Sequence, residues 1–165
     1  MIASSSILAT PVLDQLRKSN DHEILGILTN PDKPTGRGQK IEANDLALWA
    51  KESGFETYKP RNSIEIESIV SELKPDLVVT IAYGQLIKKA ALTIPTYGWI
   101  NIHFSALPKW RGAAPVQHAI MQGDSQIGVS IFKLDEGMDT GPVYLTKLTD
   151  IGADETTSDL LQRLS

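Results

Sequence analysis

Hydrophobic positions recur along this chain with two alternating periods, that of an amphipathic helix and that of a buried strand. Thr10-Pro11 is typical of a helix start, and the apolar spacing after it predicts a helix to about Ser19. Further helices are predicted from about Asn44 to Gly54, from Asn62 or Ser63 through Leu73, from near Pro115, and from Glu155. Strands are predicted for the segments EILGILT, Phe55 to Lys59, DLVVTIAYG, WINIH, IGVSIFKLD and VYLTKLTDI.

This alternation predicts an α/β fold with an open, mostly parallel, Rossmann-like sheet flanked by helices. The N-terminal segment MIASSS does not fit the pattern, because it lacks the run of about four to eight apolar residues that a buried strand usually shows. We therefore expect the first strand of the sheet to be missing from this chain.

Composition limits the functions that the chain can have. With 165 residues, 41% of them apolar, it has material for one good core, so residues 1–165 are expected to form one domain. The absence of cysteine excludes disulfides, a thiolate nucleophile and sulfur-bound zinc, and three histidines predict no metal site. A net charge of -4 argues against nonspecific coating of nucleic acid. No run of about 18 apolar residues occurs, which predicts a cytoplasmic protein without a membrane partner.

Candidate chemistry begins in the stretch NIHFSALPKWRGAAP, residues 101–115. Asn101 and His103 lie two positions apart in a predicted strand, so their side chains share one face while Ile100 and Ile102 share the other. Two interpretations remain open. The pair could be a hydrogen-bonded polar pair at a sheet edge, or it could belong to a ligand site, which open α/β sheets place at strand ends.

A second polar segment, DEGMDTGP, supplies three carboxylates between two predicted strands: Asp135, Glu136 and Asp139. A carboxylate in this turn could reach a neighbouring strand end. An amide, an imidazole and a carboxylate that meet without serine, cysteine or metal favour acyl-type transfer without a covalent enzyme intermediate.

The loop NPDKPTGRGQK carries Lys33, Arg37 and Lys40 against one acid, Asp32. It contains G-x-G without the rest of the dinucleotide fingerprint, and it is too long for the tight turn which that fingerprint requires. The loop is therefore either a solvated surface segment or a contact for an anionic ligand.

Three segments together resemble the methionyl-tRNA formyltransferase family: INIHFSALPKWRGAAPVQHAI, GDSQIGVSIFKLDEGMDTGPV and LTNPDKPTGRGQKI. The N-x-H, L-P and D-x-G elements are shared by several folate-dependent formyltransferases, whereas WRGAAP and the basic loop are more specific to the tRNA enzymes. The resemblance runs from about Leu8 to the end of the chain. Ala106 departs from it, because the family usually has leucine at that position.

The resemblance implies a monomeric enzyme that transfers a formyl group from 10-formyltetrahydrofolate, a co-substrate, to the α-amino group of initiator methionyl-tRNA. It implies that residues 1–165 are the catalytic domain, without the family's C-terminal tRNA-binding β-barrel. The implied catalytic residues are Asn101, His103 and Asp139. The implied folate-binding residues are Ser105, Ala106, Leu107, Pro108, Tyr83, Gly84 and Leu86, and the implied tRNA contacts are Lys33, Arg37 and Lys40.

Two other functions remain open. One is a formyltransferase for a small amine, such as glycinamide ribonucleotide or an amino sugar, which would have no need of the basic loop. The other is a catalytically inactive module that binds folate or RNA, which would have no need of all three of Asn101, His103 and Asp139. The basic loop and the intact polar set favour the tRNA enzyme.

Overall fold

The structure, a computed structural model, describes residues 1–165, and the chain forms two compact units. The first unit is Met1–Trp99 and the second is Ile100–Ser165. The boundary between the two units lies between the first two residues of the strand Trp99–His103. None of the α-helices has the length and hydropathy that a membrane crossing requires.

The first unit contains a parallel sheet whose strands alternate with helices, as the α/β pattern predicts. The sheet has four strands, and all three pairings between them are parallel; in spatial order they are Thr57–Tyr58, Ile27–Leu28, Ile2–Ser4 and Val78–Ile81. The elements are β1 (Ile2–Ser4), a short 3-10 helix (Ile7–Ala9), α1 (Thr10–Lys18), β2 (Ile27–Leu28), β3 (Lys33–Thr35), β4 (Lys40–Glu42), α2 (Asp45–Glu52), β5 (Thr57–Tyr58), α3 (Ser63–Leu73), β6 (Val78–Ile81) and α4 (Lys89–Leu92).

The expectation of a missing first strand is wrong. Ile2–Ser4 forms β1 and lies between β2 and β6, with Ile2 opposite Ile27 on one side and Val79 on the other. All three residues are buried, and the Ser4 hydroxyl accepts a hydrogen bond of 3.1 Å from the Ser6 backbone N–H. A strand with a partner on each side is stabilised from both directions, so three residues suffice where the length criterion requires more.

The polar loop after β2 is also more ordered in its backbone than the sequence pattern indicates. Residues Lys33–Thr35 and Lys40–Glu42 pair as the antiparallel strands β3 and β4. Gly36 with φ 62° and Gln39 with φ 48° turn the chain between them. All six strand residues are exposed, so pairing here depends on backbone hydrogen bonds and turn chemistry and not on a buried face.

Helix starts in the first unit follow the local sequence closely. Asn44 caps α2, where its side-chain oxygen accepts a hydrogen bond from the Ala47 N–H, and Asn62 caps α3.

The core of this unit lies between the sheet and the helices. Its fully buried side chains include Ile2, Leu13, Ile27, Leu28, Leu46, Ile66, Val70, Val78 and Ile81.

The second unit is a three-stranded antiparallel arrangement with two helices. Strand β7 (Trp99–His103) pairs with β8 (Gln126–Lys133), and β8 pairs with β9 (Val143–Asp150). A bulge at Ile131/Phe132 interrupts the second ladder. Helix α5 (Pro115–Met121) precedes β8, and α6 (Thr157–Leu164) begins with a capping box between Thr156 and Asp159.

Candidate active site

Strand β7 positions the predicted amide and imidazole at its C-terminal end. In its pairing with β8, Asn101 lies opposite Phe132 and His103 opposite Ser130. Because the two residues are two positions apart in a strand, their side chains lie on one face. His103 is 6% exposed, and its ring packs edge-on against Phe132, with 6.3 Å between ring centroids.

Both nitrogens of the His103 imidazole face groups of the second unit. Nε2 lies 2.8 Å from the backbone carbonyl oxygen of Trp110, and Nδ1 lies 3.7 Å from Oδ2 of Asp139. A carbonyl oxygen can only accept, so Nε2 carries a hydrogen and donates it to Trp110. The distance from Nδ1 to the carboxylate exceeds that of a direct hydrogen bond.

Asp139 is the carboxylate of the DEGMDTGP turn that faces His103. Its Oδ2 accepts a hydrogen bond of 2.7 Å from the Gly112 backbone N–H, and its side chain is 15% exposed. Asp135 serves the turn itself, because its carboxylate accepts hydrogen bonds from the Gly137 N–H and the Thr140 hydroxyl. Glu136 is exposed.

The predicted folate-binding segment Ser105 to Pro108 follows β7 directly. The buried Ser105 hydroxyl donates to the Lys109 carbonyl at 2.6 Å, and its own carbonyl accepts from the Ser130 hydroxyl at 2.7 Å. Ser130 also accepts from the Leu107 backbone N–H at 3.1 Å. Ser130 of β8 therefore holds this segment beside His103, while Ala106 and Leu107 stay half-buried and Pro108 is exposed.

The other predicted folate-binding residues, Tyr83, Gly84 and Leu86, belong to the first unit and follow β6. Tyr83 is 5% exposed, and its hydroxyl has no hydrogen-bond partner. Burial raises the pKa of the Tyr83 hydroxyl above its usual value. Gly84 has a φ of 76°, and Leu86 is largely exposed.

The predicted tRNA contacts lie on the exposed β3–β4 hairpin of the first unit. Lys33 and Lys40 are strand residues, and Arg37 is in the turn between the strands. Lys40 forms an ion pair of 3.6 Å with Glu42. Asp32, the acid that the sequence places beside this basic segment, pairs with Lys59 instead.

Sequence reasoning missed the contribution of Trp110 and Gly112 to the site. Trp110 contributes its carbonyl to His103, and Gly112 contributes its N–H to Asp139. Gly112 has a φ of 86°, and a Cβ there would lie 3.0 Å from the Met138 sulfur. The glycine of W-R-G was therefore a signal of a special backbone conformation, whereas nothing in the sequence indicated the Trp110 carbonyl.

The titratable residues of the chain form no group of three or more His, Cys, Asp or Glu that could hold a metal ion. The site around β7 consists of an amide, an imidazole, a carboxylate and loop backbone groups. Such a set can donate hydrogen bonds to a carbonyl oxygen and accept a proton nearby, which is what acyl transfer to an amine requires.

Comparison with protein families and curated relatives gives a consistent result. A family model described as "Formyl transferase" matches residues 1–165. A methionyl-tRNA formyltransferase of Salinispora arenicola is 45% identical over the whole chain, and one of Thermobifida fusca is 44% identical. The match covers 54% of each of these relatives, so the chain spans about half the length of the curated relatives it matches.

Solved structures match the fold of the whole chain. A phosphoribosylglycinamide formyltransferase from Bacillus halodurans has a TM-score of 0.81 at 24% identity, covering 99% of this chain and 84% of that one. A formyltetrahydrofolate deformylase from Pseudomonas syringae pv. tomato has a TM-score of 0.79 at 20% identity, covering 99% of this chain and 55% of that one. The predicted Rossmann-like α/β fold of formyltransferases is confirmed by these similarities.

Proposed function

The chain belongs to the formyl transferase family, and on that premise we propose that it transfers a formyl group from 10-formyltetrahydrofolate to the α-amino group of initiator methionyl-tRNA. The choice of methionyl-tRNA as the amine substrate is supported by relatives named methionyl-tRNA formyltransferase, which are 44–45% identical to the entire chain. The solved formyltransferases that act on glycinamide ribonucleotide are 20–24% identical and support the fold alone.

The polar groups of the chain are compatible with a formyl donor of this kind. Asn101 and His103 share one strand face, and Asp139 faces the imidazole at 3.7 Å. Bound 10-formyltetrahydrofolate would supply the formyl group.

Asn101 and His103 act on the oxygen of that formyl group. When the methionyl nitrogen attacks the formyl carbon, negative charge develops on the formyl oxygen. We assign to the Asn101 side-chain N–H one hydrogen bond to this oxygen, and to His103 a second one from Nδ1 when the ring is protonated on both nitrogens. Trp110 holds the opposite nitrogen, so the ring has little freedom to rotate.

Asp139 has a different role in this proposal. As the new C–N bond forms, the attacking amine loses a proton, which Asp139 accepts through a water molecule. The electron pair of the breaking C–N bond stays on the donor nitrogen, which takes up a proton. The Gly112 N–H fixes the carboxylate in place for this transfer through its 2.7 Å hydrogen bond.

The basic hairpin is assigned to the acceptor end of the tRNA. Lys33 and Arg37 are exposed, and Asp32 is paired with Lys59 rather than with either of them. Guanidinium and ammonium groups in such a position are suited to phosphate oxygens. A small amine acceptor would not need the basic β3–β4 hairpin for binding.

The test is a formylation assay with 10-formyltetrahydrofolate and two acceptors, initiator methionyl-tRNA and glycinamide ribonucleotide. It is run on this chain and on this chain joined to the C-terminal half of a curated relative, because the chain spans about half the length of those relatives. We expect formyl-methionyl-tRNA and no formylated glycinamide ribonucleotide. Formylation of the nucleotide alone would assign the chain to the small-amine enzymes, and folate binding without formylation of either acceptor would favour an inactive binding module.

A further inference from the structure

We propose that Trp110 is a positioning residue of this site. The backbone carbonyl of Trp110 holds the His103 imidazole in one tautomer. The indole of Trp110, which contacts Asp124 and His118, keeps that carbonyl in place. The inference rests on the proposed function only for its effect on turnover. The tautomer itself is a property of the protein without substrate.

The contact between His103 and Trp110 is short and partly buried. Nε2 of His103 donates to the Trp110 carbonyl oxygen at 2.8 Å, and His103 is 6% exposed. A neutral imidazole has one N–H. Because the Trp110 carbonyl beside Nε2 can only accept a hydrogen bond, the hydrogen lies on Nε2. Nδ1, which faces Asp139, then carries no hydrogen in the neutral ring.

The carbonyl is aimed at His103 by an unusual backbone conformation. Trp110 has a φ of 58°, in the left-handed region that residues other than glycine rarely adopt. Such a conformation persists only where the surrounding structure enforces it. The interactions of the indole are therefore expected to decide whether the carbonyl stays in place.

The indole is held by three neighbours. Its Nε1 donates to Oδ2 of Asp124 at 2.8 Å, and its ring stacks on the His118 imidazole with 5.7 Å between centroids and 13° between planes. The Lys109 ammonium lies 5.3 Å from the indole centroid and also pairs with Asp124. Hydrogen bonds from Lys109 and from the indole lower the pKa of Asp124, as expected for a carboxylate that stays ionised in this cluster.

The same loop also holds the second partner of His103. Two residues after Trp110, the Gly112 N–H donates to Oδ2 of Asp139 at 2.7 Å, and this oxygen is the one that faces His103 Nδ1. The segment Trp110 to Gly112 thus contacts both members of the pair. A shift of Trp110 is expected to change the pair's geometry and to free Nε2 from its acceptor.

The primary test is the tautomer of His103, measured in the full-length protein labelled with ¹⁵N-histidine and without any substrate. Long-range ¹H–¹⁵N correlation distinguishes an Nε2–H ring from an Nδ1–H ring, and a His103→Gln variant assigns the signal. In the wild type at alkaline pH we expect Nε2–H. In Trp110→Phe, which keeps an aromatic ring but loses the indole N–H, we expect a substantial population of the Nδ1–H form.

Turnover gives the second measurement. Trp110→Phe is expected to lower kcat by on the order of tenfold to a hundredfold with little change in KM for the folate donor, because small displacements of catalytic groups have effects of this size. The matched control is Trp49→Phe, since Trp49 belongs to the first unit and stacks there on Phe55. It should leave kcat and the His103 signal unchanged.

Asp124→Ala provides an independent variant in case Trp110→Phe does not fold. It removes the acceptor of the indole N–H from a half-buried position and leaves Trp110 in place. A shift of the His103 tautomer in folded Trp110→Phe supports the proposal, and an unchanged Nε2–H signal there overturns it, whatever happens to activity. If Trp110→Phe does not fold, the same two outcomes in Asp124→Ala decide. A wild type that shows Nε2–H but formylates no amine would overturn the proposed function and leave the positioning role standing.

Discussion

Oδ2 of Asp139 lies 3.7 Å from Nδ1 of His103, although the two residues are on different sides of β8 in the sequence. Each side chain has a shorter contact with a different group. His103 is held by the carbonyl of Trp110 and Asp139 by the N–H of Gly112. The pair is therefore assembled by one loop, and its geometry should respond to changes in that loop as much as to changes in either residue.

The first prediction concerns His103. If its imidazole stabilises the developing oxyanion, His103→Ala in the full-length protein should lower kcat by on the order of 10²-fold to 10³-fold, with much less change in folate affinity. Formylation kinetics with charged tRNA measure the first quantity, and equilibrium titration with folate measures the second. His22→Ala is the control, because His22 is exposed in the first unit. A loss of tenfold or less in His103→Ala would assign the oxyanion to other donors.

The second prediction concerns Arg37 in the turn of the β3–β4 hairpin. Arg37→Ala should lower kcat/KM for charged tRNA roughly tenfold to a hundredfold, since a hydrogen bond to a charged group contributes about 1.5–3 kcal/mol. Folate binding should not change. The exposed Lys18 of α1 offers a control substitution to alanine that should have little effect.

The substrate decides how an effect of Arg37→Ala is interpreted. A minimal aminoacyl substrate without an acceptor stem should be formylated equally well by the wild type and by the variant. Equal losses on both substrates would mean that Arg37 supports the chemistry or the fold and does not contact RNA. Replacement of Lys33 should instead reduce the salt dependence of tRNA binding, because phosphate contacts release counterions.

The third prediction concerns β1. Ile2 is 1% exposed and lies between two strands, so Ile2→Ala should lower the free energy of unfolding by about 2–5 kcal/mol, the range typical of such truncations in a core. Urea unfolding followed by circular dichroism measures this change. Ile41→Ala is the matched control, because Ile41 is 69% exposed on the hairpin and its truncation should have almost no effect. Equal stability of both variants would show that β1 is not part of the folded core.

The fourth prediction concerns pH and the ion pair that anchors α6. The hydrogen bond from Arg163, followed by one from the Gly152 N–H, lowers the pKa of Glu155 from 4.5 to about 2. A carboxylate whose pKa is lowered on folding contributes stability that is complete above its unfolded pKa and is lost as the pH falls through its folded one. The stability difference between the wild type and Glu155→Gln should therefore be constant well above pH 4.5 and shrink from there toward pH 2.

Urea titrations at a series of pH values measure this difference. In an Arg163→Ala background the pH dependence should largely disappear, because the hydrogen bond that contributes most to the shift is gone. A difference that persists unchanged below pH 3 would contradict the assignment of the shift to this pair.

Several features of the fold and the site follow from the sequence alone because they depend on neighbours a few residues away. The starts of α2 and α3 at Asn44 and Asn62 are examples, since a cap bonds to backbone groups within three residues. The shared face of Asn101 and His103 is another, because alternation along a strand is a property of the strand itself. The resemblance to the formyltransferase family likewise rests on contiguous segments of the sequence.

Features that depend on distant parts of the chain were decided only by the tertiary structure. The segment Ile2–Ser4 is a strand because β2 and β6 lie on either side of it, which its own three residues do not indicate. Of the three carboxylates in DEGMDTGP, Asp139 faces His103 because the Gly112 N–H holds it there. The Trp110 carbonyl orients the imidazole through a backbone atom, and backbone atoms are the same in every residue, so no side-chain pattern could have identified this contact.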